Sequence, residues 1–140
     1  MVIILKNKEN SAMFGFGKNK KQDKENETLI KEVTNSGEFE SLLKNSHSSP
    51  VFFLKHSTRC PISKWAFDEL VEAEKKMARH ASFAFLDLIA FREVSNFIAH
   101  QTGIKHESPQ LFYFNDGEVK EVLTHQDVKA TAIADLMGLN

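Results

Sequence analysis

Val51-Phe52-Phe53-Leu54 is the segment that most restricts the fold of this chain. A continuous apolar run of strand length leaves neither face for water, so the strand it forms lies inside a sheet covered on both sides. Parallel strands joined by crossover helices make such sheets, and the flanking sequence supplies both. Leu29-Ile30-Lys31-Glu32-Val33 reads as a short edge strand whose charges discourage pairing with another chain. Ser36 is placed to cap a helix through Glu38 to Lys44, with Phe39, Leu42 and Leu43 at helical spacing, and Ser48-Ser49-Pro50 breaks it.

Beyond the apolar strand a helix starts near Cys60 or Pro61 and runs to about Arg79, with Trp65, Leu70, Ala73 and Met77 as its apolar stripe. Ser82 to Asp87 is the next strand, with Asp87 as a turn former at its end. Ser95 to Gln101 reads as a helix with Phe97 and Ile98 facing inward and Gly103 ending it. Gln110-Leu111-Phe112-Tyr113-Phe114 and Val119-Lys120-Glu121-Val122-Leu123 flank Asn115-Asp116-Gly117, a hairpin signal. Asp127 is placed to cap a last helix carrying Ile133, Leu136 and Met137. The order is β-α-β-α-β-α-β-β-α, an α/β domain with a central mixed sheet flanked by helices.

A chain of 140 residues with 41% apolar content suits one domain, and twelve phenylalanines foretell an aromatic core. That domain is expected over residues 28–140, after a flexible charged tail over 1–27, where Lys18 to Glu27 is polar and aperiodic. Met13 offers an alternative start, which makes residues 1–12 leader or added material. The opening Val2-Ile3-Ile4-Leu5 is too short for the apolar region of a signal peptide, and no apolar run reaches the roughly 18 residues of a membrane span. A net charge of -1 disfavours nucleic acid and anionic membranes as general partners. With one cysteine there is no internal disulfide, no paired-cysteine motif and no multi-cysteine metal centre. A single free thiol with no export signal fits a cytoplasmic protein.

The chemistry concentrates in Lys55-His56-Ser57-Thr58-Arg59-Cys60-Pro61-Ile62-Ser63, which follows the buried strand and opens a helix. A cysteine there meets unpaired backbone N–H groups and the positive end of the helix dipole, which favour the nucleophilic thiolate. Pro61 suits the first helical turn, where its missing N–H costs nothing. The ordinary fate of a lone cysteine is that of a small buried hydrophobe, but the polar flanks Ser57, Thr58, Arg59 and Ser63 argue against deep burial. A dithiol oxidoreductase has its second cysteine three positions on. Here that position is Ser63, so a mixed disulfide on Cys60 must be released by an outside thiol. Ser108-Pro109 precedes a strand, where proline is an ordinary starting residue. In this strand order it also stands where a cis-proline loop faces the Cys60 helix, bringing Ile104-Lys105-His106-Glu107 beside the thiol.

Strand, Cys-Pro-Ile-Ser, helix, and later Ser-Pro-Gln before a hairpin resembles the thioredoxin fold. More closely, Lys55-His56-Ser57-Thr58 with Cys60-Pro61-Ile62-Ser63, then Ser95-Asn96-Phe97-Ile98-Ala99 and Gly103 to Gln110, resembles the YtxJ-like monothiol bacilliredoxins over residues 28–140. The resemblance implies a cytoplasmic monothiol oxidoreductase that removes bacillithiol from S-bacillithiolated client proteins. Cys60 would be the nucleophile and Thr58, Arg59, Pro61, Ile62 and Ser63 its motif. Free bacillithiol would serve as co-substrate and a bacillithiol disulfide reductase as an indirect partner. Arg59 stands where the family pattern has a small residue such as Thr.

Bacillithiol carries a malate group, and Arg59, Lys64, Lys105 and His106 are candidates by position to hold its carboxylates, with Ser108 and Pro109 completing the binding loop. Each cation taken singly reads more readily as solvated surface charge. His56 and His125 are candidates to tune the thiol, and nothing in their spacing points to a metal site. His80 and His100 stand near helix ends as caps or surface groups, and Trp65 reads as a packing residue. Nucleotide binding has no glycine-rich loop to support it. The rival function is a non-catalytic thioredoxin-fold adaptor whose Cys60 is a passive thiolation site.

Overall fold

The computed structural model describes residues 2–5 and 28–139. Its elements are β1 (Val2–Leu5), β2 (Thr28–Glu32), α1 (Ser36–Asn45), β3 (Val51–His56), α2 (Pro61–Met77), β4 (Ser82–Asp87), α3 (Arg92–Thr102), β5 (Gln110–Asn115), β6 (Glu118–Thr124), a 3-10 turn (His125–Asp127) and α4 (Ala130–Leu136). The six strands form one sheet in the order β1-β2-β4-β3-β5-β6. β2, β4 and β3 run parallel, while β1, β5 and β6 join antiparallel, so the sheet is mixed as expected.

β3 is buried along its whole length, as its apolar run requires. Side chains alternate across a strand, so Phe52 and Leu54 enter the layer under α2 and α4, with Ile30, Phe83, Phe85 and Leu111. Val51 and Phe53 enter the opposite layer under α1 and α3, with Phe39, Ala84, Leu86, Ile98, Phe112 and Phe114. Phenylalanine carries much of that second layer, where Phe39 lies 5.6 Å from Phe53 and 5.7 Å from Phe114 between ring centres.

Several expectations need correcting. Val2–Leu5, weighed only as an export segment and assigned to the tail, is a strand, with Val2 opposite Lys31 and Leu5 opposite Thr28. Its β-branched apolar residues suit a sheet, and they cover the edge that β2 was expected to present. The rest of the expected tail, 6–27, lies outside the described residues. The cap of α1 is Asn35, not Ser36: its side chain accepts the Glu38 N–H at 2.9 Å, while Glu38 reaches back to the Thr34 N–H at 2.9 Å. Asp127 does not cap α4. The Ala130 N–H is accepted at 2.9 Å by Glu69, which reaches across from α2. α3 begins at Arg92, a turn earlier than expected, and its last turn ends at Gly103 in the left-handed conformation, φ 70°. Trp65 is 39% exposed, so it is not part of the α2 packing stripe.

Candidate active site

The site starts from the end of β3. Lys55 and His56 continue an apolar strand with two polar residues, both buried, and the strand pleat sends them to opposite faces. The chain then turns, the Ser57 carbonyl accepting the Cys60 N–H at 3.3 Å, and Cys60 becomes the N-cap of α2 with extended backbone, φ -110° and ψ 123°. Its carbonyl accepts the Lys64 N–H at 3.0 Å, the first bond of the helix. Pro61 occupies the first turn, and no acidic residue stands there to oppose the positive end of the dipole. Cys60 is partly exposed, while Thr58, Arg59, Pro61 and Ile62 are exposed around it.

Ser63 is fully buried. Its hydroxyl oxygen accepts the Ser57 N–H at 2.8 Å and lies 2.8 Å from His56 Nδ1. The position at which a dithiol enzyme has its second cysteine is therefore a strut between the helix and the loop that carries the thiol. The His56 ring stacks on Phe67 at 5.1 Å and meets the edge of Phe85 at 6.5 Å. Burial holds the imidazole below its ordinary range, against the opposing pull of Asp87 and Asp68.

On the opposite sheet face, Lys55 Nζ donates to the Ser95 carbonyl at 3.0 Å, lies 3.5 Å from His106 Nδ1, and stands over the Phe112 ring at 5.8 Å. Burial pushes the Lys55 amine down to about 8. Burial also lowers His106, and the Lys55 and Arg92 cations add to it. A neutral His106 ring is the acceptor that the Lys55 ammonium needs.

The Ser108-Pro109 bond is cis. Register pairs Lys55 with Gln110, so Pro109, one residue before, stands next to the strand end from which the Cys60 loop departs. Gln110 is buried and folds back on the preceding loop, donating to the Lys105 carbonyl at 3.0 Å and accepting the Glu107 N–H at 3.4 Å. The Pro109 carbonyl accepts the His125 N–H at 3.0 Å, and His125 Nε2 lies 3.4 Å from the Glu107 carboxylate. Ser108 Oγ is buried with no partner among the described residues.

Topology thus brings the Cys60 motif and the Ser108-Pro109 loop to one end of the sheet. The four expected carboxylate holders stand in different settings. Arg59 and Lys105 are exposed, Lys64 pairs with Asp68 on the next turn at 3.1 Å, and His106 faces Lys55 and Ser95 on the α3 side. Lys55 and Ser95 were not expected to have roles. The available signal was a lysine and a histidine ending a run that is otherwise apolar. Asp87 forms its turn as expected, accepting the Ile89 N–H at 3.0 Å, and His80 and His100 are exposed. Among the described residues no group of three or more metal-ligating side chains is placed to hold an ion, and no helix is long and apolar enough to cross a membrane.

Comparison with known proteins fits this geometry. The sequence profile of the family described as monothiol bacilliredoxin BrxC matches residues 31–133. A solved structure described as having a thioredoxin fold is 31% identical, with 77% of this chain and 93% of that one covered and a TM-score of 0.71. Mitochondrial thioredoxin 3 from Saccharomyces cerevisiae is 18% identical, covering 78% of this chain and 93% of its own, with a TM-score of 0.62. Thioredoxin O1 from Arabidopsis thaliana is 21% identical, covering 78% and 95%, with a TM-score of 0.63. The last two establish the fold alone. From its profile match and its thioredoxin-fold architecture, the chain belongs to the monothiol bacilliredoxin family of thiol–disulfide oxidoreductases.

Proposed function

We propose that this protein removes bacillithiol from S-bacillithiolated proteins in the cytoplasm, with Cys60 as the nucleophile. The Cys60 thiolate attacks the bacillithiol sulfur of the mixed disulfide. The bond between bacillithiol and client breaks, the client leaves as a thiolate, and Cys60 holds bacillithiol in a new disulfide. A second bacillithiol thiolate then attacks the sulfur of the bound one, frees Cys60 and leaves as bacillithiol disulfide, which a separate reductase returns to the thiol. The observation that carries this reading is the pairing of a partly exposed Cys60 at the α2 N-cap with a buried, hydrogen-bonded Ser63 three residues on. With no second thiol in the chain, release must come from outside.

Arg59 and Lys105, whose side chains are exposed, are the groups assigned to the malate carboxylates, and the Ser108-Pro109 loop receives the disulfide. Lys64 and His106, already engaged with Asp68 and Lys55, contribute less.

The test is release of client thiol from an S-bacillithiolated protein in the presence of excess bacillithiol. Wild type should accelerate release over bacillithiol alone, and Cys60→Ala should not. Equal rates for the two would favour an adaptor with a passive thiolation site.

A further inference from the structure

Ser63 Oγ has two close neighbours and one proton of its own. The Ser57 N–H is a fixed donor to it at 2.8 Å, and His56 Nδ1 lies at 2.8 Å. A histidine nitrogen donates or accepts according to whether it carries a proton. When Nδ1 is bare, the Ser63 hydroxyl donates to the ring. When Nδ1 is protonated, the ring donates to the oxygen, which then accepts twice, and the hydroxyl proton turns elsewhere. Ser63 is the third residue of α2 and Cys60 its N-cap, two positions that share one side of the first turn.

We propose that His56 and Ser63 are positioning residues for the Cys60 thiol: they clamp the Ser57–Cys60 loop to the first turn of α2, and the proton on His56 decides whether the Ser63 hydroxyl points to the ring or to the helix N-terminus. The inference rests on Cys60 being the attacking thiol. It also gives Ser63 a role of its own, beyond the absence of a second cysteine. A thiol there is a weak acceptor, so Ser63→Cys would loosen the clamp at the same time as it introduces a resolving sulfur.

The surroundings of His56 set when the proton arrives. The rings of Phe67 and Phe85 enclose it, Asp87 faces it from the end of β4, and Asp68 and Lys64 act on it from α2. Desolvation outweighs the two carboxylates and holds the ring neutral to lower pH than a free imidazole. With its one proton on Nε2, Nδ1 is left bare for the Ser63 hydroxyl, and acidification adds the second proton there.

The experiment uses the full chain and a dipyridyl disulfide. Cys60 thiolate attacks one sulfur of this probe, keeps one pyridyl group as a mixed disulfide and releases the other as an absorbing thione. Ser63→Ala and His56→Phe leave polar groups of the clamp unpaired, and each should lower the second-order rate at neutral pH by about tenfold or more. His56→Asn keeps an amide against Ser63 but cannot titrate. It should restore the neutral-pH rate to within about threefold, and the wild-type rate relative to it should rise by about threefold or more as pH falls through the titration of the His56 ring. Wild-type rates in the Ala and Phe variants, or a wild-type to Asn ratio that is flat with pH, would overturn the proposal. Should the Ala and Phe variants fail to fold, wild type still decides: the Cβ carbon shift of Cys60 should show an inflection where the His56 ring titrates, and its absence would overturn the proposal. A wild-type Cys60 inert to the probe would remove the proposed function as well, whereas a reactive wild type with unaltered variants removes this inference alone.

Discussion

Lys55 shows how a single buried group couples the site to pH. Its ammonium is fully buried against a carbonyl, an imidazole and a ring, with no carboxylate among these contacts. Burial lowers the amine from 10.5 to about 8. The folded chain therefore releases this proton first, and between about pH 8 and 10.5 the unfolded chain binds more protons. Stability attributable to Lys55 must rise with pH across that window. Lys55→Met removes the titration, so urea unfolding of wild type and variant should diverge as pH rises through it; parallel profiles would contradict the assignment. That Lys55 and His56 end an apolar run was visible in the sequence. Which face each one enters depends on strand pleat and register, which a one-residue uncertainty in the strand leaves open.

Elements with local chemistry were legible and those with distant partners were not. The hairpin was foretold by Asp116-Gly117, which adopt φ 55° and 77° between β5 and β6. A Cβ on Gly117 would also meet the His47 ring at 2.6 Å, while one on Gly103, at a similar φ, has nothing within 4 Å. Gly117→Ala and Gly103→Ala should each destabilise by about 1 kcal/mol or more, and Gly117→Ala by the larger amount; equal urea midpoints for the two would show that His47 moves aside freely. The start of α1 was visible to within one residue, but its cap was read as Ser36, and only the bond from the Glu38 N–H to the side chain of Asn35 places it one position earlier. Asn35→Ala should cost about 1 kcal/mol, with Ser36→Ala nearly silent in the same thermal melts. The reverse order would return the cap to Ser36. The cap of α4 was out of reach from sequence, because Glu69 comes from another helix 61 positions away.

At the scale of the molecule, the alternation of strands and helices sufficed for the α/β architecture, since parallel neighbours need crossovers of helix length. The sequence did not reveal β1. Four apolar residues far from the domain carry no periodicity of their own, and their partner β2 is reached only after 22 further positions. Covering β2 has a consequence for association. A chain lacking residues 1–27 would present the backbone groups of β2 as an open edge. It should keep the Cys60 reaction and self-associate more than the full chain in sedimentation velocity; identical sedimentation would mean that β1 does not protect that edge.

In the proposed reaction Cys60 takes bacillithiol from another protein. Intact mass spectrometry of the chain and an S-bacillithiolated client, mixed without free thiol and sampled over time, tests it most directly. The client should lose one bacillithiol as this chain gains one, and Cys60→Ala should abolish the transfer. A client that keeps its bacillithiol while Cys60 stays bare would contradict it.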